Sequence, residues 1–176
     1  MEIKEENITR GGEFIIKETN YANVFTPEDF SEEQLMMKQA VKDFVEKEVL
    51  PHRERFENKE YKLTEDTMKK AGDLGFLGVA VPQEYGGMGM GFVSTMLVCE
   101  TISGASGSLS TAFGAHTGIG TMPIVLYGNE EQNKKFVPKL ASGEVFGAYC
   151  LTEPSAGSDA NSGKTKAVLS EDGSHY

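Results

Sequence analysis

The stretch Tyr149-Cys150-Leu151-Thr152-Glu153-Pro154-Ser155-Ala156-Gly157-Ser158-Asp159-Ala160-Asn161-Ser162 decides how this chain is read. Its apolar lead-in, Val145 to Leu151, has the length and composition of a buried strand. Pro154 and Gly157 end that strand in a loop of hydroxyls and small residues. Exposed N–H groups at Ala156, Gly157 and Ser158 would make a concave nest for phosphate oxygens, with the hydroxyls of Thr152 and Ser158 adding directed hydrogen bonds. On the residues alone the expected ligand is a phosphate or another polar group.

Upstream of this loop the periodicity is helical. Ser31 followed by Gln34 is a capping box, and Leu35, Met37, Val41, Phe44, Val45 and Val49 then fall at near-helical spacing until Pro51. Thr64, with Glu65 and Asp66 after it, predicts a second helix that stops at Gly75. A third is expected over Phe92 to Ser103. A fourth is expected over Leu109 to Leu126, where Gly114, Gly118 and Gly120 each weaken helicity by about 1 kcal/mol and packing must compensate. Asn129 with Gln132 is another capping box, opening a helix that ends at Gly143 and that Pro138 should kink. Downstream, Thr165 to Leu169 reads as a second strand, Ser170-Glu171-Asp172-Gly173 as a hairpin turn, and His175-Tyr176 as the start of a third. The expected organisation is an arm over residues 1–30, a helical domain over 31–144, and the incomplete start of a β-domain over 145–176. The half-built sheet implies that the chain is part of a longer polypeptide.

Leu151-Thr152-Glu153-Pro154 followed by Gly157-Ser158-Asp159 resembles the flavin-binding signature of the acyl-CoA dehydrogenases. Supporting motifs stand upstream in the order that family shows: Val81-Pro82-Gln83-Glu84-Tyr85-Gly86-Gly87-Met88-Gly89, then Met122-Pro123, then Tyr127-Gly128-Asn129-Glu130-Glu131-Gln132, then Pro138-Lys139-Leu140-Ala141-Ser142-Gly143-Glu144. The resemblance covers the chain from about Ser31 to Tyr176. Gly11-Gly12-Glu13-Phe14 and Phe113-Gly114-Ala115-His116 are most similar to the very-long-chain branch.

The resemblance implies a mainly α fold, an N-terminal helical bundle followed by the first strands of a β-barrel-like middle domain. It implies FAD as cofactor and α,β-dehydrogenation of acyl-CoA thioesters, long-chain ones by the branch, in fatty-acid β-oxidation. Tyr149, Cys150, Leu151, Thr152, Gly157 and Ser158 are then the expected flavin contacts, with Ser158 also near the thioester. The fourth helix backs the acyl pocket in this family. Thr111, Ala115 and Ile119 fall on one face of it, with Ala112 beside them, and their small side chains would leave depth for the acyl group. The family's catalytic base is a Glu of the C-terminal helical domain, and no residue here matches it. Electron-transfer flavoprotein is the implied electron acceptor, and a homodimer or homotetramer the implied assembly. A related acyl-CoA oxidase and a non-catalytic helical interaction module are the alternatives.

Other chemistries are weaker. With 17 Lys and Arg against 27 Asp and Glu, a net charge of −10 disfavours nucleic acid. Ser158 to Thr165 approaches a nucleotide-triphosphate loop. It has Ser where the first Gly belongs, and the β-branched run that follows does not open a helix. Glu153 and Asp159 are poor bases, since an anion aimed at the flavin's N1 and O2 region would oppose reduction. A structural pairing suits them better. Cys99 and Cys150 lack metal-ligand spacing and read as buried free thiols. His116 stands alone on its helix and reads as a packed or partly exposed side chain, not a ligand. The scattered Met residues read as core filling. Met1-Glu2-Ile3-Lys4-Glu5-Glu6 resembles no transit peptide or secretory signal, and no run reaches the roughly 20 apolar residues of a membrane span. A bacterial cytoplasm is expected, or the mitochondrial matrix if a presequence has been removed.

Overall fold

The computed structural model describes residues 8–176, so the acidic start lies outside the described residues. Residues 8–30 hold one helical turn, α1 (Glu13–Ile16), and two 3-10 turns, and none of their side chains is fully buried. The first long helix, α2 (Glu32–Phe44), starts where its capping box predicts. The Gln34 N–H donates to Ser31 Oγ at 3.2 Å, and the Ser31 N–H to Gln34 Oε1 at 3.0 Å. Pro51 does not end it. The chain rewinds through a π segment (Val45–Val49) and a 3-10 turn (Leu50–His52) into α3 (Arg53–Glu57), because Pro near the start of a fresh turn loses no hydrogen bond.

The second helix, α4 (Tyr61–Asp73), begins ahead of Thr64, with Glu60 at the cap and no side-chain capping bond. Packing of its buried face overrides the local signal: Thr67, Met68, Ala71 and Gly72 are all buried. It stops as expected at Gly75, whose φ of +81° suits only a residue without Cβ. Next come α5 (Gly91–Ser103) and α6 (Gly107–Gly114), which passes through a second π segment (Ala115–Thr121) into α7 (Met122–Tyr127). Finally α8 (Glu130–Ala141) carries the second capping box and runs on through Pro138 as one helix.

The main core joins Met37, Val41 and Phe44 of α2 to Phe56, Met68, Val98, Ile102, Leu109 and Phe113 from the four following helices. Phe44 and Phe76 meet edge to face at 5.6 Å between centroids. Burial of each such large side chain contributes about 1.5–3 kcal/mol. Val81, Val137 and Ala141 form a smaller cluster that seats α8 on the Val79–Pro82 turn. Not every apolar position of the helical stripes is buried, since Leu35 and Met36 face outward. Among the described residues no helix is long and apolar enough to cross a membrane.

The fold is mainly helical, as expected, but the start of a barrel is not seen. Among the described residues there is no strand, only an isolated bridge between Glu153 and Ala156. Val145 to Leu151 forms no strand and is largely exposed, and Thr165 to Leu169 likewise, because a segment becomes a strand only beside another whose N–H and C=O groups it can pair. The turn after Thr165–Leu169 does form. The Gly173 N–H donates to the Ser170 carbonyl and the Ser170 N–H to the His175 carbonyl, while Asp172 accepts from Ser170 and Ser174 and is held at about 2 by those bonds.

Candidate functional site

The helical bundle hands over to the signature loop at one junction. His116, in the π segment, is only 2% exposed, and its two ring nitrogens have different partners. Nδ1 accepts from the Gly147 N–H at 3.0 Å, and Nε2 lies 3.0 Å from the Leu140 carbonyl at the end of α8. A backbone N–H can only donate, so Nδ1 is unprotonated and the proton sits on Nε2. Phe146 meets the imidazole edge to face at 5.7 Å. Burial pushes the His116 pKa below its ordinary value, opposed in part by the bond to Leu140. Beside it, Gly120 and Gly147 cross backbone to backbone, where a Cβ on Gly120 would lie 2.5 Å from the Gly147 carbonyl carbon. The π winding is closed by Thr121, whose hydroxyl donates to the His116 carbonyl at 2.8 Å.

Beyond this junction Tyr149 is 57% exposed, Leu151 48%, and Cys150 and Thr152 are exposed as well. Cys150 is therefore not the buried thiol expected, because no sheet covers it; Cys99 is half-buried, and burial raises its thiol. The loop then closes on itself. Glu153 and Ala156 exchange both backbone hydrogen bonds, at 3.1 and 3.0 Å, so the Ala156 N–H is engaged and does not join the expected nest. Among the described residues the N–H groups of Gly157 and Ser158 and the hydroxyls of Thr152 and Ser158 have no internal acceptor or donor, and all three residues are exposed.

Glu153 shapes this loop. Its carboxylate accepts from the Thr165 N–H at 3.0 Å, the Ser155 hydroxyl at 2.9 Å, the Thr165 hydroxyl and the Lys164 N–H. Those bonds, the Thr165 hydroxyl's first, hold its pKa at about 2. A carboxylate so ionised and so fully engaged is an anchor for the loop and a poor base.

The fourth-helix residues lie elsewhere. Thr111 is exposed, Ile119 is 52% exposed, and Ala112 and Ala115 are half-buried, on a face that nothing described covers. The same helix lines an apolar cavity of about 150 Å³ with different residues, Gly114, Thr117 and Gly118, opposite Phe92, Thr95, Met96 and Cys99 of α5 and over Phe76, Leu77, Val79 and Val81. Met96 and Met122 thus face a cavity or its rim, not filled core. The cavity and the His116–Gly147 junction were missed in the sequence; their one local trace is the run of glycines at 114, 118 and 120. Among the described residues no cluster of His, Cys, Asp or Glu could hold a metal ion.

Residues 31–144 match the family described as "Acyl-CoA dehydrogenase, N-terminal domain". A probable acyl-CoA dehydrogenase of Bacillus subtilis (strain 168) is 49% identical over 173 residues, 98% of this chain and 29% of that protein. The mitochondrial isovaleryl-CoA dehydrogenase of Pongo abelii is 41% identical over 83% of this chain and 34% of its own length. The crystal structure of an acyl-CoA dehydrogenase complexed with FAD, from Bacillus anthracis, superposes with a TM-score of 0.87 at 49% identity, over 94% of this chain and 28% of that one. The chain therefore spans about a third of the length of these relatives. The very-long-chain branch finds no support among these relatives, which carry no chain-length name or act on isovaleryl-CoA by name. A family match across most of the chain, with near half identity over almost its full length, places it: the chain belongs to the acyl-CoA dehydrogenase family.

Proposed function

We propose that this chain forms the flavin-loop and acyl-pocket side of an FAD-dependent enzyme that dehydrogenates the α,β bond of acyl-CoA thioesters. One observation carries the reading. Thr152, Gly157 and Ser158 present hydroxyls and N–H groups without partners among the described residues, in a loop that Glu153 holds in shape. That donor set suits the polar edge and phosphates of FAD. Tyr149, Cys150 and Leu151, exposed beside it, supply apolar and backbone surface. When bound, FAD supplies the acceptor for the hydride leaving the β carbon. Glu153 does not remove the α proton, being tied by four hydrogen bonds, and that task falls to a base outside these residues.

The acyl chain enters the apolar cavity between α5 and the α6–π segment. Glycine at 114 and 118 leaves Thr117 as the side chain of this wall, which favours an extended acyl group over a short branched one. Ser158 lies toward the thioester; the Thr111, Ala112, Ala115 and Ile119 face abuts further protein or a second subunit of a homodimer or homotetramer. Electron-transfer flavoprotein takes the electrons onward.

The test is purification of the intact protein, an absorbance spectrum, and anaerobic addition of acyl-CoA thioesters of increasing length. Flavin bands that bleach with a long acyl chain support the reading. No flavin, and none taken up from added FAD, defeats it. Oxygen uptake without another acceptor would instead mark an oxidase.

A further inference from the structure

The chain between the bundle and the loop has few fixings. Residues 148–152 make no hydrogen bond among the described residues, and the loop next closes only at the Glu153–Ala156 bridge. The last fixed points before that gap are the Val145 N–H on the Lys139 carbonyl at 3.2 Å, the Phe146 ring on the His116 imidazole, and the Gly147 N–H on His116 Nδ1. Of these, the Gly147 bond lies nearest the loop and is the one hydrogen bond to a buried side chain.

We infer that His116 is a positioning residue for the cofactor loop: by accepting from the Gly147 N–H it sets the direction in which the chain runs into Tyr149–Ser158. This rests on the flavin reading of that loop. Three features make the imidazole suited to the task. Its Nε2–H is fixed on the Leu140 carbonyl, so the ring cannot rotate and Nδ1 stays aimed at Gly147. The π winding of Ala115–Thr121, closed by Thr121 on the His116 carbonyl, displaces the helix locally, the usual setting for a side chain with a special direction. The Gly120–Gly147 crossing leaves no room for a side chain between the two backbones, so the His116 bond acts across a close, defined contact. A role in stability alone would need any side chain that fills the space; a role in direction needs the acceptor at the Nδ1 position.

Two amide substitutions separate these roles in the intact protein. His116→Asn keeps an acceptor near the Nδ1 position and loses the reach to Leu140. His116→Gln keeps a donor for Leu140 and loses the acceptor for Gly147. The expected result is an FAD dissociation constant within about twofold of wild type for Asn and weaker by about five- to tenfold for Gln, the size of one net hydrogen bond, while both variants melt earlier. Amide exchange at Gly147, read without FAD, should quicken in Gln and stay near wild type in Asn. Equal FAD affinity and equal exchange in the two variants, or losses that only track melting temperature, would overturn the inference. Should wild type bind no FAD, the flavin reading fails by itself, and the exchange comparison still decides whether His116 directs this segment.

Discussion

Glu153 and Thr165 are joined twice, the carboxylate accepting from both the N–H and the hydroxyl of a residue twelve positions further along. With Lys164 and Ser155 also donating, one side chain holds the signature loop to the segment that follows it. Glu153→Ala should leave the helices' circular dichroism unchanged, speed amide exchange at Lys164 and Thr165, and weaken FAD retention. Because the folded pKa is depressed to about 2 from 4.5, the tie's contribution to stability is complete above 4.5 and declines as pH falls from there, while the tie itself breaks only as pH nears about 2. Exchange at those two amides that is indifferent to the substitution would rule out this anchoring.

The His116 junction carries its own pH dependence. Its folded pKa lies below the ordinary 6.5, so in that window the unfolded chain binds a proton that the folded chain does not. The contribution to stability is therefore complete above about pH 6.5 and declines as pH falls from there to the folded pKa, by at most about 1.4 kcal/mol per pH unit. The nearest charges in sequence on the surrounding elements, Lys139 and Glu144, pair with each other at 2.9 Å. Urea midpoints compared at about pH 7.5 and about pH 5.5 should fall more for wild type than for His116→Asn. An equal fall would assign the acid sensitivity elsewhere.

How much of this was legible in the sequence depended on how local the cause was. Ser31 with Gln34 and Asn129 with Gln132 announce their helices because each box closes within one turn, and Gly75 announces its stop because no other residue suits its backbone. Thr64 misled because it has the form of a cap while the true start at Tyr61 rests on burial further along the helix. The strand at Val145–Leu151 needs a neighbour to pair with, which no pattern within those residues can supply. The π segment could not be read either, since it answers to Gly147, which is 31 positions from His116. For the flavin loop, the hydroxyls and glycine were legible, whereas the loss of the Ala156 N–H to Glu153 was not.

Glycines that look alike in the sequence should respond oppositely to alanine. At Gly120 the added methyl would meet Gly147 backbone at 2.5 Å, so one chain must move, at a cost of about 1–3 kcal/mol. At Gly104, with φ of −63° and nothing nearer than 3.7 Å, the methyl is accommodated and the unfolded chain loses freedom, a gain of about 0.4–1 kcal/mol. Thermal melts of the two variants should therefore shift in opposite directions. A Gly120→Ala variant as stable as wild type would mean that the bundle and residue 147 are not in close contact.

The cavity offers a test of chain length by subtraction. Gly114 is among the residues lining the cavity, and a Cβ built on it meets nothing within 4 Å among the described residues, so a side chain can start there without displacing a helix. Gly114→Leu should therefore shorten the acyl group accepted. Each methylene kept out of an apolar site costs about 0.8 kcal/mol, so excluding two lowers kcat/KM for the longest substrates by about tenfold or slightly more. Short thioesters, which do not reach the cavity, should be turned over as before. Steady-state rates across an acyl-length series give the answer. A uniform fall at every length would mean general damage, and no fall at any length would mean that the acyl chain lies elsewhere, against the open Thr111 and Ala115 face.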